Sequence, residues 1–364
     1  MTEKENEVMR KTPLSWRLGT LVFTALILLV FVFGCSRSSP LKRYEMHVTG
    51  PFDTVTTALI VAESEEEFAF YHDMIEGELW RYHRLYDIYN ESPDGPNLKT
   101  INDRAGEAVV CQPDLRDLVA YGVDVSKETD GRVNIAMGSV LKLWHEARMT
   151  ANQSPDEGYL PDGELLAEAA KHCAIGDVIV DHEVGTVTLS DPAMSLDVGA
   201  IAKGFAVERI AVKLASEGLR SGVLEAGGNV RAIGQNEVTS KPWRIGIRNP
   251  DTRSQVVLLE KVDITGQSVV TSGNYERSFV LDGKTYSHII DPETLRPSTI
   301  HEAVTVIASD SATADFLSTT LMLMSVEDGK AFLRRFPSCE AMWVTKGDRA
   351  FTSGFALFRV TSLD

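Results

Sequence analysis

Segments patterned as strands and as helices are mixed along the chain, without the strict alternation that a doubly wound sheet requires. β-Branched residues around the Gly50-Pro51 turn predict paired strands over residues 44–62. Apolar residues at helical spacing predict a helix over residues 64–86. Further helices are predicted over residues 113–129, 139–149, 200–217 and 310–324. The sequence therefore predicts an α+β fold with a mixed, mainly antiparallel sheet.

Residues 1–34 have the features of a signal peptide. The basic residues Lys4, Arg10, Lys11 and Arg17 precede an uncharged apolar run at residues 18–33. That run is shorter than the roughly 20 residues that span a bilayer comfortably. Gly34-Cys35 follows, and the junction resembles a bacterial lipobox, in which cleavage before the cysteine allows its lipidation. An uncleaved membrane anchor is the alternative interpretation.

Both interpretations place the rest of the chain outside the cytoplasmic membrane, on its outer face or in the periplasm. Residues 35–43 are predicted to be the lipidated Cys35 and a linker, and residues 44–364 a single domain. The whole chain has 36 Lys and Arg residues against 52 Asp and Glu residues, a net charge of -16. Because so acidic a surface repels phosphate backbones, nucleic acid is excluded as a partner.

Two glycine-containing segments are candidates for ligand binding. In the segment 195–204, a predicted strand ends at Asp197 and a helix begins near Ala200, with Lys203 in its first turn. The free N–H groups of a helix N-terminus suit a phosphate, and a lysine adds positive charge. Gly227 and Gly228 follow another strand and allow the backbone to approach a ligand closely. An ordinary strand-to-helix turn and a tight bulge remain the structural alternatives.

Two further segments contain groups suited to catalysis and to metal binding. His288 has Asp291 three residues later, and such a pair can act as a general base. A structural histidine bonded to backbone is the alternative. Asp315 and Thr319 are four residues apart on a predicted helix, so their oxygens point the same way. A carboxylate with a hydroxyl suits a hard cation such as Mg²⁺.

Taken in order, five motifs carry a resemblance to a known family. They are DVGAIAKG, EAGGN, TSGNYER, HIIDP and an AD-x-x-S-T element. Together they resemble the ApbE family of FAD:protein FMN transferases, over about residues 46–358. The resemblance implies a single α+β domain related to the T-fold. It also implies FAD as substrate, Mg²⁺ on its pyrophosphate, and FMN transfer to a threonine hydroxyl with release of AMP.

The resemblance also implies roles for individual residues. Asp315, Thr319 and the carbonyl of Ala200 would bind the metal, with Ser318 close by. Positions matching FAD contacts are Asp197, Lys203, Ile289, Phe52 and Tyr89. His288, oriented by Asp291, is our prediction for the group that deprotonates the acceptor hydroxyl. The implied acceptors are exported or membrane-bound flavoproteins.

The chain departs from the family pattern at two places. Residues 133–138 read VNIAMG where many members have an Asp and a Pro, and Leu295 stands where a glycine is usual. Three rival functions also remain open at this point: an FAD pyrophosphatase that uses water, a flavin-binding lipoprotein without turnover, and a redox flavoprotein. The absence of a GxGxxG fingerprint weakens the redox hypothesis.

Overall fold

The structure is a computed structural model that describes residues 40–360. From Lys42 onward the chain forms one compact unit. The predicted signal peptide, Cys35 and most of the linker lie outside the described residues. Within residues 40–360, no helix is both long and apolar enough to cross a membrane.

An eight-stranded sheet is the centre of the fold, and every neighbouring pair in it is antiparallel. The spatial order is β1, β2, β6, β7, β10, β15, β16, β17. Their bounds are β1 Lys42–Thr49, β2 Val55–Ala62, β6 Gly222–Ala226, β7 Asn229–Ile233, β10 Ser268–Gly273, β15 Ala303–Ala308, β16 Glu340–Thr345 and β17 Asp348–Phe351. The predicted α+β class with a mainly antiparallel sheet is confirmed.

Three helices pack against this sheet: α1 (Glu65–Tyr86), α6 (Ala202–Ser216) and α7 (Ser311–Leu321). Helix α1 begins where predicted, because the Ser64 hydroxyl accepts the Glu67 N–H. Helix α7 begins after Asp310, whose carboxylate caps the Thr313 N–H. Apolar side chains from the sheet and these helices form one large buried core.

Smaller elements surround the sheet and complete the fold. The helices are α2 (Leu98–Asp103), α3 (Pro113–Glu128), α4 (Gly138–Gln153), α5 (Gly163–Ala170) and α8 (Val326–Phe332). A three-stranded sheet contains β3 (Ala108–Val110), β4 (Val178–Asp181) and β5 (Thr186–Leu189). Three strand pairs are β8 (Trp243–Arg248) with β9 (Leu258–Ile264), β11 (Phe279–Leu281) with β12 (Lys284–Tyr286), and β13 (Ile290–Asp291) with β14 (Arg296–Pro297). A second apolar cluster packs α4 and α5 against β11.

Candidate active site

One cleft collects most of the residues predicted to bind ligand or metal. It lies where the start of α6, the middle of α7, strand β10 and the segment after β12 come together. The predicted residues that line it are Tyr89, Asp197, Ala200, Lys203, Gly227, His288, Ile289, Asp315 and Thr319. The predicted residues that do not line it are Phe52, Gly228, Asp291 and Ser318.

Asp315 is the buried carboxylate of the cleft. It projects from α7, is only 4% exposed, and accepts the Gly204 N–H at 2.7 Å. Burial raises its pKa, and the positive charge of Lys203 opposes that shift. A carboxylate in such a place needs a cation to be stable in its charged form.

Gly204 allows α6 and α7 to approach closely enough for this contact. A Cβ atom at Gly204 would lie 2.4 Å from the Asp315 Cβ and 2.5 Å from the Ser311 carbonyl oxygen. Neither atom is the end of a flexible side chain, so the two helices would have to move apart. The glycine in the DVGAIAKG motif is therefore required by helix packing beside the carboxylate.

Replacement of Gly204 by Ala is expected to lower the free energy of unfolding by about 1–3 kcal/mol, the usual cost of overpacking. The matched control is Gly77→Ala in α1, where an added Cβ would meet nothing within 4 Å. That change is expected to stabilise the protein by about 0.5–1 kcal/mol, because alanine favours a helix interior. Urea unfolding of both variants measures the two effects, and equal shifts would contradict the packing argument.

Ala200 and Thr319 also line the cleft, and their carbonyl and hydroxyl oxygens could accept a ligand beside Asp315. If α6 began one turn earlier, the Gly204 N–H would donate to the Ala200 carbonyl. It donates to the Asp315 carboxylate instead. Among residues 40–360, no hydrogen-bond donor contacts that carbonyl. The same part of the chain has no group of three His, Cys, Asp or Glu side chains able to hold a metal. A cation bound at Asp315 would therefore need neutral oxygens in addition to carboxylates.

Ser318 lies beside the cleft and contacts residues of α7 and β10. Its hydroxyl donates to the Asp315 carbonyl at 2.9 Å and lies 2.7 Å from the Ser272 hydroxyl. Ser272 in turn contacts Thr319 Oγ1 at 3.3 Å. The resemblance placed Ser318 close to the metal; its side chain is fully buried, does not line the cleft, and contacts Ser272. Ser272 lies in the TSGNYER motif but was not singled out from the sequence.

His288 faces the cleft with its Nε2 atom free of contacts with residues 40–360. Its Nδ1 lies 2.9 Å from the Glu276 carbonyl oxygen, so Nδ1 is the protonated nitrogen and Nε2 the acceptor. The His288 side chain faces the cleft, but the surrounding protein desolvates the imidazole, and this lowers its pKa. With Lys203 and Arg277 nearby, the pKa of His288 falls to about 4. The ring is therefore neutral at pH 7.

The prediction that Asp291 orients His288 is wrong. The Asp291 carboxylate accepts the Glu293 N–H at 2.8 Å, within the turn that joins β13 to β14. The Asp291 carboxylate therefore stabilises its own turn and does not contact the imidazole. The Glu276 carbonyl orients the imidazole instead. The same turn places Leu295 at φ 56°, the left-handed conformation that favours glycine.

Asp197 and Gly227 also line the cleft, whereas Gly228 does not. The Asp197 carboxylate accepts the Gly199 N–H at 2.8 Å, and burial raises its pKa. Gly227 lines the cleft at φ 55°. Gly228 is structural instead, because its N–H bonds the Glu225 carboxylate and its carbonyl accepts the Thr271 N–H.

Three arginines and a histidine at the cleft were missed by sequence reasoning: Arg132, Arg148, Arg277 and His145. His145 Nδ1 lies 3.1 Å from the Tyr89 hydroxyl and 2.9 Å from Arg148 Nη2. The other Arg148 amine donates to the Arg277 carbonyl at 3.2 Å. Arg277 Nη2 donates at 2.9 Å to the carbonyl of Phe52, which has a left-handed backbone. Phe52 therefore reaches the cleft through its backbone and Arg277, not through its ring.

The segment that departs from the family pattern also contributes to the cleft. Val133, Asn134, Ile135 and Met137 line it. The Asn134 side chain is used internally, because it donates to the Cys173 carbonyl at 2.9 Å and accepts the Ala136 N–H at 2.9 Å. This loop thus presents an apolar wall where many family members have an aspartate.

The fold and the cleft define a class: an α+β protein whose cleft combines buried carboxylates, cationic side chains and a neutral histidine. Residues 52–343 match the model of the ApbE family. The chain belongs to the ApbE family.

Individual relatives agree with this assignment. The chain is 32% identical over 372 residues to the FAD:protein FMN transferase of Treponema pallidum, with 98% of each chain covered. It is 34% identical over 284 residues to an FAD:protein FMN transferase of Klebsiella pneumoniae, covering 77% of this chain and 85% of that one. The crystal structure of the ApbE protein of Thermotoga maritima matches with a TM-score of 0.77 and 28% identity, covering 88% of this chain and all of that one.

Proposed function

We propose that the protein is an FAD:protein FMN transferase that moves FMN from FAD onto a threonine hydroxyl of an acceptor protein and releases AMP. The observation that supports this most directly is the placement of Asp315 and a neutral His288 in one cleft. The Treponema pallidum and Klebsiella pneumoniae relatives are FAD:protein FMN transferases, and the shared family extends over most of the chain.

We propose Mg²⁺ as the metal of this site, with Asp315, Thr319 and the Ala200 carbonyl as its protein ligands. Two observations support the fit. Asp315 is buried without a cationic partner in contact, and the Ala200 carbonyl accepts no hydrogen bond from residues 40–360. Hard oxygen ligands of this kind suit Mg²⁺. When bound, the metal would neutralise charge on the pyrophosphate oxygens.

The cationic side chains suit the rest of an anionic substrate. Lys203 lies at the start of α6, and Arg148 and Arg277 line the same cleft. They give a protein of net charge -16 a local positive field for a pyrophosphate. Binding energy at this point also positions the phosphorus atom for in-line attack, which is the main requirement of phosphoryl transfer.

His288 is the proposed general base. Its Nε2 accepts the proton of the threonine hydroxyl while the threonine oxygen bonds to the FMN phosphorus. The bond from that phosphorus to the bridging oxygen breaks, and AMP leaves with the bridging oxygen. The Glu276 carbonyl keeps Nδ1 protonated, so the imidazole presents its lone pair to the cleft. Bound pyrophosphate would offset the charges of Lys203 and Arg277 and raise the pKa of His288.

We further propose that the protein works on the outer face of the cytoplasmic membrane, anchored through a lipidated Cys35. The sequence of residues 1–35 supports this proposal, although it lies outside the described residues. Its acceptors are then exported or membrane-bound flavoproteins. Release of the protein from membranes by a Cys35→Ser substitution tests the anchor independently of the activity.

The activity is tested by intact mass spectrometry of an acceptor protein. The full chain in detergent is incubated with FAD, Mg²⁺ and an exported flavoprotein bearing an acceptor threonine. We expect the acceptor to gain the mass of one FMN moiety, and excess EDTA to abolish this gain. AMP and FMN without a mass gain would indicate hydrolysis instead. Intact FAD with every acceptor tried would favour a flavin-binding protein without turnover.

A further inference from the structure

A second cavity lies beside the active cleft, behind the segment that follows β10. It is an open groove of about 860 Å³, which we call the hairpin groove. Its walls are the β11–β12 strand pair, the loop 249–254 after β8 and the turn between β16 and β17. It is as large as the cavities of about 300–1,000 Å³ that bind ligands in other proteins.

The groove and the active cleft share one wall. Along residues 273–280, Gly273, Glu276, Arg277 and Phe279 line the cleft, whereas Asn274, Tyr275, Ser278 and Val280 line the groove. The β11–β12 pair continues this division, because Val280 and Thr285 are directly opposite each other and both face the groove. Phe279 and Tyr286 stack on the opposite face, inside the second apolar cluster.

The same strand pair leads directly to the proposed base. Strand β12 ends at Tyr286, and His288 follows two residues later. Two residues lie between Thr285 and His288, so their Cα atoms are at most about 11 Å apart. The wall of the hairpin groove thus continues directly into the segment that carries the proposed base.

The surface of the groove resembles that of a protein interface. Val280 is 60% exposed and Ile300 is 47% exposed, and both line it. Val256, Val257 and Leu258, which follow the loop 249–254 in the chain, are exposed as well. Apolar side chains surrounded by polar ones are typical of sites that bind other proteins.

The charges of the groove argue against a small anionic ligand. The charged residues that line it are Asp251, Arg253, Glu302, Lys346, Asp348 and Arg349. Three are positive and three are negative, so the groove has no net field that would attract phosphate or nucleotide. In addition, β11 and β12 pair only with each other among residues 40–360, which leaves one backbone edge of each unpaired. Such edges are suited to the addition of an extended segment.

We infer that the hairpin groove docks an extended segment of the acceptor protein, placing its threonine at His288. This inference rests on the proposed transferase function, because that reaction requires a protein as second substrate. The active cleft binds FAD, and the groove provides the separate surface that the acceptor needs. Val280 and Ile300 determine the affinity for the acceptor and have no part in binding FAD.

The test compares steady-state transfer by wild-type protein with transfer by Val280→Lys and Val280→Glu, using the full chain in detergent. Both variants are expected to raise the KM for the acceptor at least about 10-fold, equal to about 1.4 kcal/mol of binding free energy. The KM for FAD and the kcat are expected to stay within a factor of two. Lysine and glutamate are both introduced because an effect that depends on the charge of the acceptor would differ between the two variants. The control is Val184→Lys in the turn between β4 and β5, which is exposed and lines neither cavity.

The outcomes separate the two proposals. If the wild-type protein transfers FMN but both Val280 variants keep its acceptor KM, the docking inference is wrong and the transferase function stands. If only one charge sign raises the KM, the groove acts through electrostatics and the inferred apolar contact is overturned. If the wild-type protein transfers no FMN to any acceptor, the proposed function fails first. A rise in KM that Val184→Lys reproduces would also contradict the inference.

Discussion

Replacement of Asp315 by Asn is expected to reduce FMN transfer by at least about 10³-fold, because a lost metal contact removes several kcal/mol of stabilisation from the transition state. The change is isosteric, and the asparagine oxygen still accepts the Gly204 N–H that Asp315 accepts at 2.7 Å. Only the negative charge is lost. The rate of AMP release in the presence of acceptor measures the effect.

The same variant is expected to stabilise the metal-free protein. Burial raises the pKa of Asp315, which means that the folded state resists its ionised form. The neutral amide removes that penalty, so the Tm in EDTA is expected to rise. Mg²⁺ is expected to raise the Tm of the wild-type protein by mass action but not that of the variant. A loss of activity together with a lower Tm would instead indicate misfolding.

The control for this experiment is Asp191→Asn. Asp191 contacts His172 Nδ1 at 2.7 Å and accepts the Ala193 N–H, and it lies outside the active cleft. Its loss is expected to leave transfer and the Mg²⁺-dependent rise in Tm unchanged. If both aspartates behave alike, the metal assignment to Asp315 is contradicted.

The arrangement of Asp315 and Thr319, the proposed metal ligands, could be predicted because it is local. Asp315 and Thr319 are four residues apart, and one helical turn brings their side chains to the same face whatever the tertiary structure. The same holds for the Ser64 cap of α1 and for the start of α6 beside Ala200. In each case the sequence spacing determines the arrangement.

The contacts of Arg148, Arg277 and His288 could not be predicted, because tertiary packing creates them. Arg148 lies on α4, where a charged residue normally indicates a solvent-facing position, and only the approach of residues 273–279 turns it into a wall of the cleft. For His288 the nearest acidic residue in the chain was misleading. Asp291 belongs to a turn, and a backbone carbonyl, which no side-chain pattern reveals, orients the ring.

The order of strands in the sheet could not be predicted from the sequence either. Strand β2 pairs with β6. Strand β2 ends at Ala62 and β6 begins at Gly222, so 160 positions of sequence separate these two ends. That pairing places Gly227 and Asn229 at the cleft, and it follows from packing α1 and α6 on one face of the sheet. Local patterns identify the strands, whereas long-range burial selects their partners.

Replacement of His288 by Gln is expected to lower the kcat of transfer by about 10²–10⁴-fold, the range that positioned acid–base groups contribute. Glutamine retains polarity and approximate size but cannot accept the threonine proton. The KM for FAD is expected to change little, because His288 acts on the acceptor hydroxyl. The matched control is His182→Gln, because His182 is exposed and lies outside the cleft. A variant with wild-type kcat would exclude His288 as the base.

The pH dependence gives a second measure of the same role. His288 is active only when neutral, so the rate falls as pH drops through its pKa, which is about 4 in the ligand-free protein. The acidic limb of kcat/KM reports the free enzyme, whereas that of kcat reports the enzyme with substrate bound. Because bound pyrophosphate offsets the charges of Lys203 and Arg277, the limb of kcat is expected at higher pH than the limb of kcat/KM. Coincident limbs would show that these cations do not control the base, and a variant that lacks His288 is expected to lose both.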